Sequence, residues 1–119
     1  MYEYGVTDAL GKGEGVEVQL GIGADGSWPD ESWTWTDALY HADKEGLIAG
    51  VLDNDEYVCT PTAPTEPGLY DYAARVRIGS GEWRLCDGGH ECGGIGSSDE
   101  YSPDEAGHLL VETDTTTGI

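Results

Sequence analysis

Cys86, His90 and Cys92 fall in the pattern C-x3-H-x-C within a glycine-rich stretch, with Asp87 beside them and Cys59 and His108 elsewhere in the chain. Thiolate and imidazole are donors that zinc prefers, usually about four of them in a tetrahedron. The paired C-x2-C spacing of structural zinc sites is missing. In an oxidising compartment, Cys86 and Cys92 would instead close a short disulfide that pins the loop, leaving Cys59 buried and unpaired. These residues alone rank a disulfide first, free thiols second and zinc third.

Two acidic groups offer a different chemistry. Asp53, Asp55 and Glu56 alternate oxygen donors in one segment, and Asp25, Asp30 and Glu31 form a second group. Calcium collects about six to eight oxygens, so acidic loops between strands are candidate sites. Neither group has the glycine and terminal glutamate of the helix-loop-helix calcium signature, and acid runs are commonly solvated surface. No cofactor follows from the sequence; calcium is the candidate, with Asp53, Asp55 and Glu56 as its ligands.

Arg75, Arg77 and Arg84 are three of only five basic residues. They could grip a carboxylate or sulfate through paired hydrogen bonds. The simpler reading is that they neutralise acidic neighbours across a sheet, where opposite charges pair favourably. Trp28 lies in a polar loop beside Pro29 and Asp30, where an indole can stack on the apolar face of a sugar ring. Tyr40 and Tyr101 are the residues that would support it. Catalysis finds little footing: neither G-x-S-x-G nor H-E-x-x-H occurs, and no glycine-rich loop opens a helix.

The elements that would position these residues read as strands. Val16, Val18, Leu20 and Ile22 share one parity, with Glu17 and Gln19 on the other. SWTWTDALY at 32–40 is β-branched and aromatic, a strand through about Thr36. HADKEGLIAGVLDND leaves a helical turn near 43–49 and an irregular excursion as alternatives. EYVCTPTAP at 56–64 is a strand ended by its prolines. In YDYAARVRI, Tyr70, Tyr72, Ala74, Val76 and Ile78 form an apolar face and Asp71, Ala73, Arg75 and Arg77 the other. GSGE then supplies a hairpin loop and WRLC the return strand. A short strand near 2–9 and a last one at 108–113 bring the expected number to about seven. Strands 16–22 and 108–113 are candidates for sheet edges.

At 119 residues the chain is sized for one domain with a modest core. Its 24 acidic residues against five basic ones give a formal net charge of −19. That field repels phosphate backbones and anionic lipid, which excludes nucleic acid as a partner and disfavours membranes. It favours cations, high salt and solubility, and points to an extracellular or cell-surface setting. Four Trp and seven Tyr argue against disorder. The apolar run GLIAGVL is far too short to span a bilayer, so membrane insertion is not expected, and no signal peptide is seen at the start of this chain.

The run QLGIGADGS, WTWTDALY, DNDEYVCTPTAP and PGLYDYAARVRIGSGEWRLCD resembles immunoglobulin-like accessory modules of large secreted bacterial proteins, of myxobacterial type, over roughly residues 2–113. More loosely, it is similar to starch-binding modules attached to amylases. Two inserts, around 43–52 and 88–105, set this chain apart from that pattern. The resemblance implies a non-catalytic sandwich whose specificity lies in its loops. The expectation is therefore an all-β, antiparallel immunoglobulin-like β-sandwich of about seven strands over 1–113, with a long loop near 87–107 and a tail at 114–119. Its expected role is binding carbohydrate or another surface ligand through Trp28, Tyr40 and Tyr101. The alternative is a structural spacer or self-assembling surface or fibre subunit, calcium-stabilised.

Overall fold

Alternating side chains turn into six strands in a computed structural model that describes residues 3, 5–45, 48–52, 54–86 and 101–113. They are β1 (Val16–Ala24), β2 (Thr34–Lys44), β3 (Asn54–Val58), β4 (Gly68–Ile78), β5 (Arg84–Cys86) and β6 (Gly107–Val111), with a 3-10 turn at Pro103–Glu105 before β6. The chain is all-β and every pairing is antiparallel. The strands form one sheet in the order β3-β2-β1-β4, and β5 and β6 lie end to end along the far side of β4. Among the described residues there is no second sheet facing this one. The disulfide loop and the tail expected at 114–119 fall largely or wholly outside the described residues.

Strand boundaries follow local chemistry. β2 continues through Ala38 and Tyr40 to Lys44, so the segment expected as a helical turn or excursion is partly strand, with a bulge between Tyr40 and Ala42. β3 stops at Val58, before the prolines that cannot donate to a ladder. Residues 5–8 are turns rather than the strand expected near 2–9. The Thr7 hydroxyl accepts from Glu3 N–H at 2.8 Å, and Thr7 N–H donates to the Glu3 carbonyl at 2.9 Å. Gly5 there has φ +75°, which a strand does not allow.

The turns end in a strap that crosses the sheet. Gly13 N–H donates to Asp55 Oδ2 at 2.7 Å and Gly11 N–H to Asp43 Oδ2 at 2.9 Å. Asp43 and Asp55 are direct cross-strand partners, so two like charges face each other. Such a pair is unfavourable unless donors reach it, and the strap brings backbone N–H groups to both.

Register divides the sheet into two faces. Val16, Val18, Leu20 and Ile22 of β1 oppose Ile78, Val76, Ala74 and Tyr72 of β4 on the aliphatic face. Glu17, Gln19, Gly21 and Gly23 oppose Arg77, Arg75, Ala73 and Asp71 on the other. Parity is therefore as read from the sequence. Both faces are covered in part: Val16, Ile22 and Val76 are buried on the aliphatic side, where Tyr72 is 40% exposed, and Asp71, Ala73 and Arg75 are buried on the other. The cover on that second face is aromatic. Trp33 and Trp35 lie over Gly21 and Gly23, and the core is Trp33, Ala73, Tyr101 and Ala106 with Trp35 and Leu85 packed against it. Burying an indole to the 4% exposure of Trp33 contributes about 3 kcal/mol. The strand expected at an edge over 16–22 is central, held on both sides by β2 and β4, while β6 is peripheral with β4 as its neighbour.

Candidate functional site

The arginines resolve first. Arg75 lies between two indoles, its guanidinium 3.9 Å from the Trp35 ring centre and 4.3 Å from that of Trp83. Its Nε and Nη2 donate to Gln19 Oε1 at 2.8 and 2.6 Å, and Nη1 reaches Glu31 at 3.4 Å. Gln19 in turn donates to Asp37 at 2.8 Å. Arg77 lies over the Trp83 ring at 4.5 Å and donates to Glu17 at 2.5 Å. Arg84 opposes Val76 in the ladder and so takes the other face from Arg75 and Arg77. The arginines form no common anion clamp; two of them are spent on carboxylates, amide and indole faces within the sheet.

The same aromatic layer continues toward the end of the sheet where the β1–β2 loop meets the segment before β6. Trp33 stacks on Trp35 at 6.0 Å, Tyr101 meets Trp33 edge-on at 6.4 Å, and Trp28 meets Tyr101 edge-on at 5.4 Å. Trp33 Nε1 donates to Ser27 Oγ at 2.9 Å and Trp35 Nε1 to the Asp30 carbonyl at 3.0 Å, which ties the loop down on the rings. Trp28 is 39% exposed and Tyr101 only 4%, so the tyrosine braces the tryptophan from behind. Of the expected ligand-binding residues, Trp28 and Tyr101 come together. Tyr40 does not: it is on the opposite face, edge-on to Tyr57 and donating to Asp43 at 2.9 Å. Burial, then Asp43, holds the Tyr40 hydroxyl above its ordinary pKa. Burial, with Asp55 nearby, pushes that of Tyr57 up to about 12.

No protein-family model, curated protein or solved structure matches this chain.

Beside the aromatic wall lies a polar group. Asp71, on β4, has no exposed surface; its Oδ2 accepts from Gly26 N–H at 2.9 Å and its Oδ1 lies 2.9 Å from His108 Nδ1. Asp71 and His108 are register partners on β4 and β6, and Gly23 flanks Asp71 on β1. Gly26, at φ +74°, closes the turn from Ala24 to Ser27 that presents Asp25. The donor atoms of Asp25, Asp71 and His108 all lie within 4.8 Å of one another. Asp30, further along the loop, is held below the usual carboxylate range by hydrogen bonds from Ser32.

The expected calcium ligands do not gather. Asp53 lies outside the described residues. Asp55 faces the strap, while its neighbour Glu56 takes the opposite side, 2.7 Å from His41 Nδ1 and 3.9 Å from Lys44. Consecutive strand residues point to opposite faces, so Asp55 and Glu56 cannot share an ion without breaking the ladder. In the cysteine group, Cys86 is disulfide-bonded and Cys59 is a free thiol whose pKa is raised by burial. His90 and Cys92, the rest of the C-x3-H-x-C pattern, lie outside the described residues. The sequence places Asp71 on one strand face with Ala73, Arg75 and Arg77 and gives it no further role. Only its pairing with Gly23 and His108 singles it out, and no local pattern carries that signal.

Proposed function

We propose that this chain is a non-catalytic, extracellular binding module whose loops take a carbohydrate. The observation that carries this reading is the placement of Trp28. A large ring in a polar loop is left open to solvent and fixed from behind by the buried Tyr101, with Trp33 and Trp35 stacked beyond it. A rigid, half-exposed indole beside hydroxyl and carboxylate groups is what stacking on a sugar ring requires. Ser27, Asp30 and Asp25 supply such groups in the same loop. The immunoglobulin-like sandwich expected from the sequence belongs to this proposal as well, because its loops cluster at the ends of the strands, where Trp28 sits.

A polysaccharide pull-down or glycan array is expected to give a retained ligand. Trp28→Ala should weaken retention at least about tenfold, the loss of one stacking ring, with the melting temperature nearly unchanged. Absence of any retained glycan, or equal retention by Trp28→Ala, would refute the reading.

A second reading, a self-assembling structural subunit, is favoured by two exposed apolar pairs. Leu39 and Val58 are cross-strand partners on β2 and β3, and Leu69 and Leu110 on β4 and β6, all solvent-facing on the aromatic side. They mark the two margins of the sheet, where copies could pair edge to edge. Light scattering over a concentration series is expected to show association that Leu39→Glu removes. A strict monomer at every concentration, with or without calcium, would discard this alternative.

A further inference from the structure

We propose that Asp25, Asp71 and His108 form a binding site for one divalent transition-metal ion of the zinc type. The group is not an acidic surface patch. It combines an imidazole nitrogen with two carboxylates drawn from three separate elements: the turn after β1, the middle of the sheet in β4, and the start of β6. The sheet register is what holds Asp71 and His108 side by side. The Gly26 N–H on Asp71 fixes the turn that carries Asp25.

The burial of Asp71 is a separate observation with the same direction. A carboxyl group with no solvent exposure is costly unless its oxygens find partners. Its neighbours are one backbone N–H and an imidazole that is 58% exposed, inside a chain of net charge −19. Arg75, the nearest arginine along β4, is committed to Gln19 and Glu31. A divalent cation would be a further partner for the buried carboxyl oxygens, and the acidic field of the chain concentrates cations near it.

The donor set chooses among metals. Calcium and magnesium take oxygen ligands, and a nitrogen donor favours zinc and its neighbours. Ligands about 2.1 Å from a tetrahedral zinc ion lie about 3.4 Å apart. The observed spread of up to 4.8 Å closes to that by rotation of the exposed Asp25 and His108 side chains around the fixed Asp71. Both movable ligands face solvent, which leaves further positions on the ion for water or an oxygen of a bound molecule. The proposal does not depend on sugar binding at Trp28.

The test is calorimetric titration of the metal-stripped, disulfide-intact chain with zinc, repeated with cobalt as a spectroscopic probe. A Cys59→Ser background removes the free thiol as a competing soft ligand. One equivalent should bind, with visible cobalt absorption in the range of low-coordinate sites, and millimolar calcium should not displace it. His108→Ala and Asp25→Asn should each weaken binding by at least about tenfold. Both residues are exposed, so these variants keep their fold even where Asp71→Asn does not. Binding unchanged in both variants, calcium competing on equal terms, or no stoichiometric zinc uptake would each overturn the proposal.

Discussion

Gly23→Ala is expected to destabilise the domain by about 3 kcal/mol, the upper part of the ordinary overpacking range. A Cβ at this position would lie inside the Trp33 indole. The ring cannot step aside cheaply. It is bonded through Nε1 to Ser27, stacked on Trp35 and met edge-on by Tyr101. Gly21 stands in the same relation to Trp35, whose ring carbons would be 2.6 Å from an added Cβ. Gly26→Ala is the control: nothing lies near its Cβ, but φ is +74°, so backbone strain alone should cost about 1 kcal/mol. Urea unfolding followed by tryptophan fluorescence measures all of these. In a double-mutant cycle, Gly23→Ala and Trp33→Leu should be strongly coupled, because the smaller side chain removes the clash. A Gly23→Ala variant within about 0.5 kcal/mol of the parent, the usual range for surface changes, would mean that Trp33 does not cover that strand.

The second large effect is at Arg75. Arg75→Ala should cost about 3 kcal/mol, because it opens a gap between two indoles and strips the paired donors from Gln19. Arg75→Lys should recover less than half of that, since an ammonium neither spans both rings nor donates in a fork. Arg77→Ala should cost only about 0.5 kcal/mol, because its partner Glu17 is 54% exposed and the pair is screened by solvent and salt. Unfolding at low salt and at about 0.5 M salt separates them: the Arg77 effect should fade with screening, and the Arg75 effect should persist. Equal costs for the two alanine variants would break the distinction between a buried stacked arginine and a surface ion pair.

Several features were legible in the chain. Alternation in VEVQLGIG and YDYAARVRI identifies two strands and their side-chain parity, and the pairing of Val18 with Val76 bears this out. GSGE as a turn leading into a return strand is also recovered, since Arg84 to Cys86 pair with β4. The expectation that the arginines answer to acidic neighbours holds for Arg75 and Arg77 through Glu31 and Glu17. Arg84 does not follow it among the described residues: it takes the other face, opposite Val76, and makes no ion pair there. The N-terminal segment misled because β-prone residues there are overridden by Gly5 and the Thr7 side chain, and the segment is used as a strap instead.

By itself, then, the sequence determined an all-β chain, the residues that share a face on each strand, and an acidic surface hospitable to cations. Those properties depend on neighbours a few positions apart and on composition. Tertiary structure decided that the second face is also covered, by aromatic rings, that β1 is central, and that Asp55 and Glu56 part company while Asp25, Asp71 and His108 converge. The physical reason is register. The contacts that join Asp71 to Gly26 and to His108 span 45 and 37 residues of chain, and a shift of one residue in any ladder would turn these side chains to the other face.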